Sequence, residues 1–226
     1  LDTSFDIDGK VTTGIYNHSY KGESVTVQAD GKILVAGDSS SSSRSPQFAL
    51  ARYNTDGSLD TSFSGDGLVS EISFGSYISS FAKKVTVQAD GKILVAGRVT
   101  DDYYHTSSFA LARFNANGSL DASFDNDGRV TTDFGSTNTY GSSATLQADG
   151  KILVAGTSNY DIALARYNAD GSLDKTFSLA ASTLSSSKTY SEQDNPIILD
   201  RDVQIFDTDL AGGDNYNGAT LTLSRH

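Results

Sequence analysis

Arginine and aspartate recur together in this chain as Arg52 with Asp60, Arg113 with Asp121, and Arg166 with Asp174. A guanidinium and a carboxylate brought together across a turn form a short, directional, charge-assisted contact, so each pair could pin one connection of the fold. A catalytic residue need occur only once, whereas this pair occurs in every copy, and the threefold recurrence therefore reads as architecture. The second chemistry on offer is cation binding. The run from Asn54 to Asp60 places Asn54, Asp56 and Asp60 in a Gly-bearing loop, which is part of the oxygen set calcium takes. The same side chains serve as turn formers, because Asx groups cap backbone amides. Asp207, Asp209 and Asp214 form a second acidic run near the end of the chain and are the stronger calcium candidates. No cofactor is expected, and calcium is the one ion the sequence brings forward. The third chemistry is contact area. Tyr16, Tyr20, Tyr103, Tyr104 and Tyr160 fall in stretches that differ between copies. Tyrosine offers rigid amphipathic surface at small entropic cost, which suits a protein or sugar partner.

Other chemistries are missing. No Gly-x-Ser-x-Gly, His-Glu-x-x-His, phosphate-cradling or dinucleotide motif occurs. His18, His105 and His226 stand in non-equivalent places, and Glu23, Glu71 and Glu192 do not recur in register. Cysteine is absent, which removes disulfides and thiolate chemistry together. A net charge of −11 repels phosphate backbones, and nucleic acid is not an expected partner. No apolar run is long enough for a membrane-spanning helix. The chain starts at Leu1, so a processed or trimmed end is expected there.

The elements that must position these residues are repeats. "VTVQADGKILVAG" occurs at 25–37 and 85–97, and "ATLQADGKILVAG" at 144–156. Each is followed by a run of the type "FALARYNTDGSLDTSF", and a third element, "LDTSFDIDGKVTT", recurs with small changes. A period near sixty residues implies one supersecondary unit stacked on its own copies. Val25 and Val27 alternate with Thr26 and Gln28 as in a strand, and Asp30-Gly31 suits a two-residue primed hairpin turn. Ile33–Ala36 reads as a strand covered on both faces, Phe48–Tyr53 as the next, and Gly9–Thr13 as the remaining one. Segments 38–47 and 98–108 read as long loops and 157–161 as a short one, together marking a variable rim. The fold class is all-β, with three four-stranded repeats acting as β-propeller blades and a short C-terminal β segment. A propeller normally needs four blades or more, so either a partial ring or a six-bladed ring completed by dimerisation is expected. Residues 1–177 form the blade region, 178–188 a Ser/Thr-rich linker, and 189–226 a partial β module.

Over 1–177 the repeat resembles the delta-60 repeat, a β-propeller family of bacterial secreted and surface proteins, through "QADGKILVAG" and "DGSLDTSF". The segment from Thr189, with "YSEQDNPIILD" and "DTDLAGGDNYNGATLTLSR", resembles the opening of cadherin-like or immunoglobulin-like adhesin modules. These resemblances imply the propeller fold and an extracellular or bacterial cell-surface location, and the lack of a catalytic motif makes a structural, adhesive role without catalysis the leading expectation. The partner would be a protein or carbohydrate bound at one rim, or another copy meeting the open blade faces. The rival expectations are an extracellular polysaccharide lyase or hydrolase, and a scaffold subunit of a larger assembly.

Overall fold

The computed structural model describes residues 2–14, 18–42, 44–75, 79–101 and 106–177. The chain divides into two compact units, Leu1–Asp174 and Lys175–His226. The first unit holds three antiparallel sheets, one per copy of the repeat. The first sheet runs β1 (His18–Val27), β2 (Ile33–Ser41), β3 (Arg44–Tyr53) and β4 (Leu68–Ile72), with neighbours in chain order. The second repeats that order in β5 (Ser79–Val87), β6 (Ile93–Asp101), β7 (Thr106–Phe114) and β8 (Arg129–Thr132). The third contains β9 (Thr139–Leu146), β10 (Ile152–Ser158) and β11 (Asp161–Tyr167), three strands among the described residues.

Period-two alternation gives every sheet a front and a rear. Leu34, Ala36, Phe48 and Leu50 on the rear of the first sheet pack on Val85, Ile93 and Val95 on the front of the second. Leu94, Phe109 and Leu111 on the rear of the second then pack on Ile152, Val154 and Tyr167 on the front of the third. Ile93 to Ala96 are accordingly buried without a break, because the middle sheet is covered on both sides. Each such aliphatic side chain contributes about 1.5–3 kcal/mol by leaving water, so the stack rests on face-to-face burial.

Several expectations are corrected. The first hairpin turn is not a two-residue primed turn: Gly31 N–H bonds Gln28 O at 2.9 Å and Gln28 N–H bonds Lys32 O at 2.8 Å. Of Asp30 and Gly31 only the glycine has a positive φ, 84°, which is a type I turn closed by a left-handed glycine. Segments 38–47 and 98–108 are not long loops. The ladders continue through them to Ser41↔Arg44 and Asp101↔Thr106, because backbone pairing carries Ser- and Thr-rich sequence as readily as apolar sequence. The third hairpin is therefore the shorter one, with strands of 7 residues against 9 or 10 in the first two. Gly9–Thr13 is not a strand; the fourth strand of the first sheet is β4, which lies beyond Phe63 and pairs with β3.

Residues 2–13 instead lie against the front of the first sheet. Asp6 N–H bonds Asp56 O at 2.9 Å, as Ser64 N–H bonds Asn117 O at 2.8 Å and Asp125 N–H bonds Asp170 O at 2.7 Å. Each of these contacts joins a Leu-Asp-x-x-Phe turn to the Asx-Gly turn of the following sheet. The Phe5, Phe63 and Phe124 rings sit where a Cβ on Gly57, Gly118 and Gly171 would point, so the glycine leaves the room the ring fills.

Candidate functional site

Arg52 shows how the recurrent charges are used. It lies on the rear of β3, where its Nε donates to Asp60 Oδ2 at 2.7 Å and its guanidinium lies 4.5 Å from the Phe63 ring centroid. Nη2 donates to Ser62 Oγ at 3.2 Å, and Nη1 crosses to the Ala116 carbonyl in the turn of the second sheet. Arg113 repeats the set with Asp121, Ser123, Phe124 and the Ala169 carbonyl of the third sheet. Arg166 donates to Asp174 Oδ2 at 2.8 Å. A lysine joins each carboxylate: Lys32 to Asp60 at 2.9 Å, Lys92 to Asp121 at 3.0 Å, and Lys151 to Asp174 at 2.6 Å.

Burial alone would raise the Asp60 carboxyl. The hydrogen bonds from Ser62 and Lys32 and the Arg52 charge outweigh it and hold the group well below the usual carboxylate range. Asp121 is held down in the same way. These carboxylates stay ionised and engaged, which suits a structural pin and not a proton donor.

The Asn-x-Asx-Gly turns spend their side chains on themselves. Asp56 Oδ1 accepts from Ser58 N at 2.9 Å and from Ser58 Oγ at 2.6 Å, while Asn54 Nδ2 donates to Ser58 Oγ at 3.0 Å. Asn54, Asp56 and Asp60 thus share one turn, but Asp60 faces two cations. Among the described residues no three metal-ligating side chains converge. Asp207, Asp209 and Asp214 lie outside the described residues, as do Tyr16, Tyr103 and Tyr104.

The two described candidate tyrosines are far apart in kind. Tyr160 is 89 % exposed at the tip of the β10–β11 hairpin, where Asn159 and Tyr160 both take positive φ. Tyr20 lies on the front of the first sheet beside a hollow of about 170 Å³ that Lys21, Gly22, Val35, Gly37 and Ala49 also line. Burial raises its phenol, partly offset by a hydrogen bond with Ser70 and reinforced by the charges of Glu71 and Asp66.

Two polar devices between sheets were not read from the sequence. Asp38, at the rear of β2, accepts the Ala82 N–H at 2.9 Å inside the first interface. Its position in the second sheet holds Arg98, whose guanidinium lies between the Phe81 ring at 4.7 Å and the Tyr140 ring at 4.6 Å. The signal was present: the residue after each "VAG" run is Asp38, Arg98 or Thr157, a variable position inside a constant motif. Tyr53 and Tyr167 also donate to Thr13 and Thr132, each at 2.7 Å, whereas the second sheet carries Phe114 there.

Residues 28–63, 88–124 and 147–177 match the model described as a domain of unknown function (DUF5122) beta-propeller, one stretch in each sheet. The chain is therefore similar to that propeller family over its tandem repeats, in agreement with the repeat resemblance read from "QADGKILVAG". No curated protein matches the chain.

Proposed function

We propose that this chain is a non-catalytic set of propeller blades that presents its hairpin rim to a protein or carbohydrate partner. In this reading it is a structural or adhesive module of a larger exported protein, working outside the cell or at a bacterial surface. Its three blades belong to a ring, either a partial one or one brought to six by a second set. The supporting observation is a division of labour. The repeated polar groups are consumed between blades, while the hairpin tips vary from copy to copy and hold Tyr160 almost fully in solvent. Side chains that recur hold the array together, and side chains that differ are left to recognise. Calcium binding at the C-terminal acidic run is part of the same proposal.

Binding of the whole chain to panels of immobilised polysaccharides and surface proteins, with wild type beside Tyr160→Ala and a Tyr103→Ala/Tyr104→Ala double variant, tests it. A ligand whose affinity falls tenfold or more in either variant is the expected result. New reducing ends or unsaturated sugar products would instead make the chain an extracellular polysaccharide hydrolase or lyase. A scaffold-subunit reading is favoured by one further observation: among the described residues, Val25 and Val27 of the first sheet and Ile162 and Leu164 of the third are exposed.

A further inference from the structure

We infer that two copies of this chain associate head to tail, the rear of the third blade of one copy packing on the front of the first blade of the other. The inference rests on the blade reading above and names the partner of its open faces.

Among the described residues one interface occurs twice, and its two halves occur a third time without the other half against them. On the rear side, Phe48 and Phe109 are 1 % and 0 % exposed, whereas the equivalent Ile162 is 91 % exposed. Leu50 and Leu111 are buried, and the equivalent Leu164 is exposed. On the front side, Val85 is 1 % exposed, and the equivalent Val25 is 62 % exposed. The middle blade lies between the two open faces, and a second copy brings one of each together.

Shape supports the pairing. Where the second and third blades meet, the Phe109 ring comes within 3.4 Å of the place a Cβ on Gly141 would take. Gly22 holds the Gly141 position on the first blade, and there the front face is a hollow of about 170 Å³ shared with Gly37, Val35 and Ala49. Ile162 holds the Phe109 position on the third blade. A protruding side chain and the hollow that receives it thus stand at opposite ends of one molecule. In that register Gly9–Thr13 falls beside β11 of the other copy, as β4 and β8 lie beside β3 and β7. This places a strand-like sequence, which pairs with no strand of its own copy among the described residues, next to a sheet of three. Leu1–Phe5 of one copy and Leu173–Phe177 of the other carry the same Leu-Asp-x-x-Phe sequence, and in the association one of the two yields its place to the other.

Such a contact is heterologous and gives a closed ring or an open chain, according to the rotation between copies. Sedimentation velocity of the full chain across a concentration series tests it, with Val25→Asp, Ile162→Asp and their equimolar mixture alongside. Both substitutions fall on exposed positions, and circular dichroism verifies that the variants fold. Wild type is expected at a multiple of 23.9 kDa, each variant alone at 23.9 kDa, and the mixture at twice that mass, because one intact front meets one intact rear. Apparent affinity should fall at least tenfold in each single variant. Dissociation by only one variant would mean a front-to-front or rear-to-rear contact and would overturn the inference. So would wild type that remains at 23.9 kDa throughout, an outcome that leaves rim binding standing.

Discussion

Arg52 donates through Nη1 to the main-chain carbonyl of Ala116, 64 residues on in the next blade, while its Nε holds Asp60 in its own. One side chain therefore closes a local turn and docks a neighbouring sheet. Arg113 does the same one blade later.

Removing either arginine leaves a buried carboxylate with its lysine and its serine hydrogen bonds but without the guanidinium. Arg52→Ala and Arg113→Ala should each lower unfolding stability by about 3 kcal/mol, as expected on breaking a buried ion pair. Arg166→Ala should cost less, since its side chain is 23 % exposed against 7 % and 6 % for the other two. Urea unfolding of the three variants gives the ranking, and equal losses would contradict it.

The same carboxylates set the acid limit. Asp60 and Asp121 titrate lower in the folded protein than in the unfolded chain, so their contribution is complete above the unfolded value, about 4. It is lost as pH falls below that value toward the folded one. The urea midpoint should therefore hold from neutrality to about pH 5 and then decline, with a shallower decline in Asp60→Asn. A midpoint that rises on acidification would show that these groups do not govern acid stability.

Asp38 behaves in the opposite sense. Burial raises its carboxyl above the usual value despite the Ala82 N–H and Lys83, with Glu23 adding to the rise and Lys21 opposing it. A raised folded value means stability is fullest at low pH and declines as pH climbs through that value. Asp38→Asn keeps the acceptor without the charge and should raise the neutral-pH melting temperature slightly. Asp38→Ala orphans a buried N–H and should cost about 1–3 kcal/mol. Calorimetry at neutral pH separates the two variants, and an equal loss in both would refute the account.

Arg98 tests the second interface. Held between Phe81 and Tyr140, its guanidinium should contribute about 1–2 kcal/mol through the ring faces. A double-mutant cycle of Arg98→Met with Tyr140→Leu isolates the Tyr140 share, and additive losses would show that no such coupling exists.

Much of this molecule was legible one residue at a time. The hairpins at Gln28, Gln88 and Gln147 follow from short-range rules, since alternation and a turn glycine act within a few residues. Three near-identical copies also imply three like sheets, because equal sequences in equal surroundings fold alike. What only the tertiary structure decided lies across blades. The apolar run Ile33–Ala36 does not say that its middle copy alone is covered completely, and Arg52 does not name a carbonyl 64 residues away. The strand-like run Gly9–Thr13 has every local mark of β-structure and still is not a strand in its own copy, because a strand exists only as one side of a hydrogen-bonded pair. Periodicity belongs to the chain, whereas a partner is a fact of space.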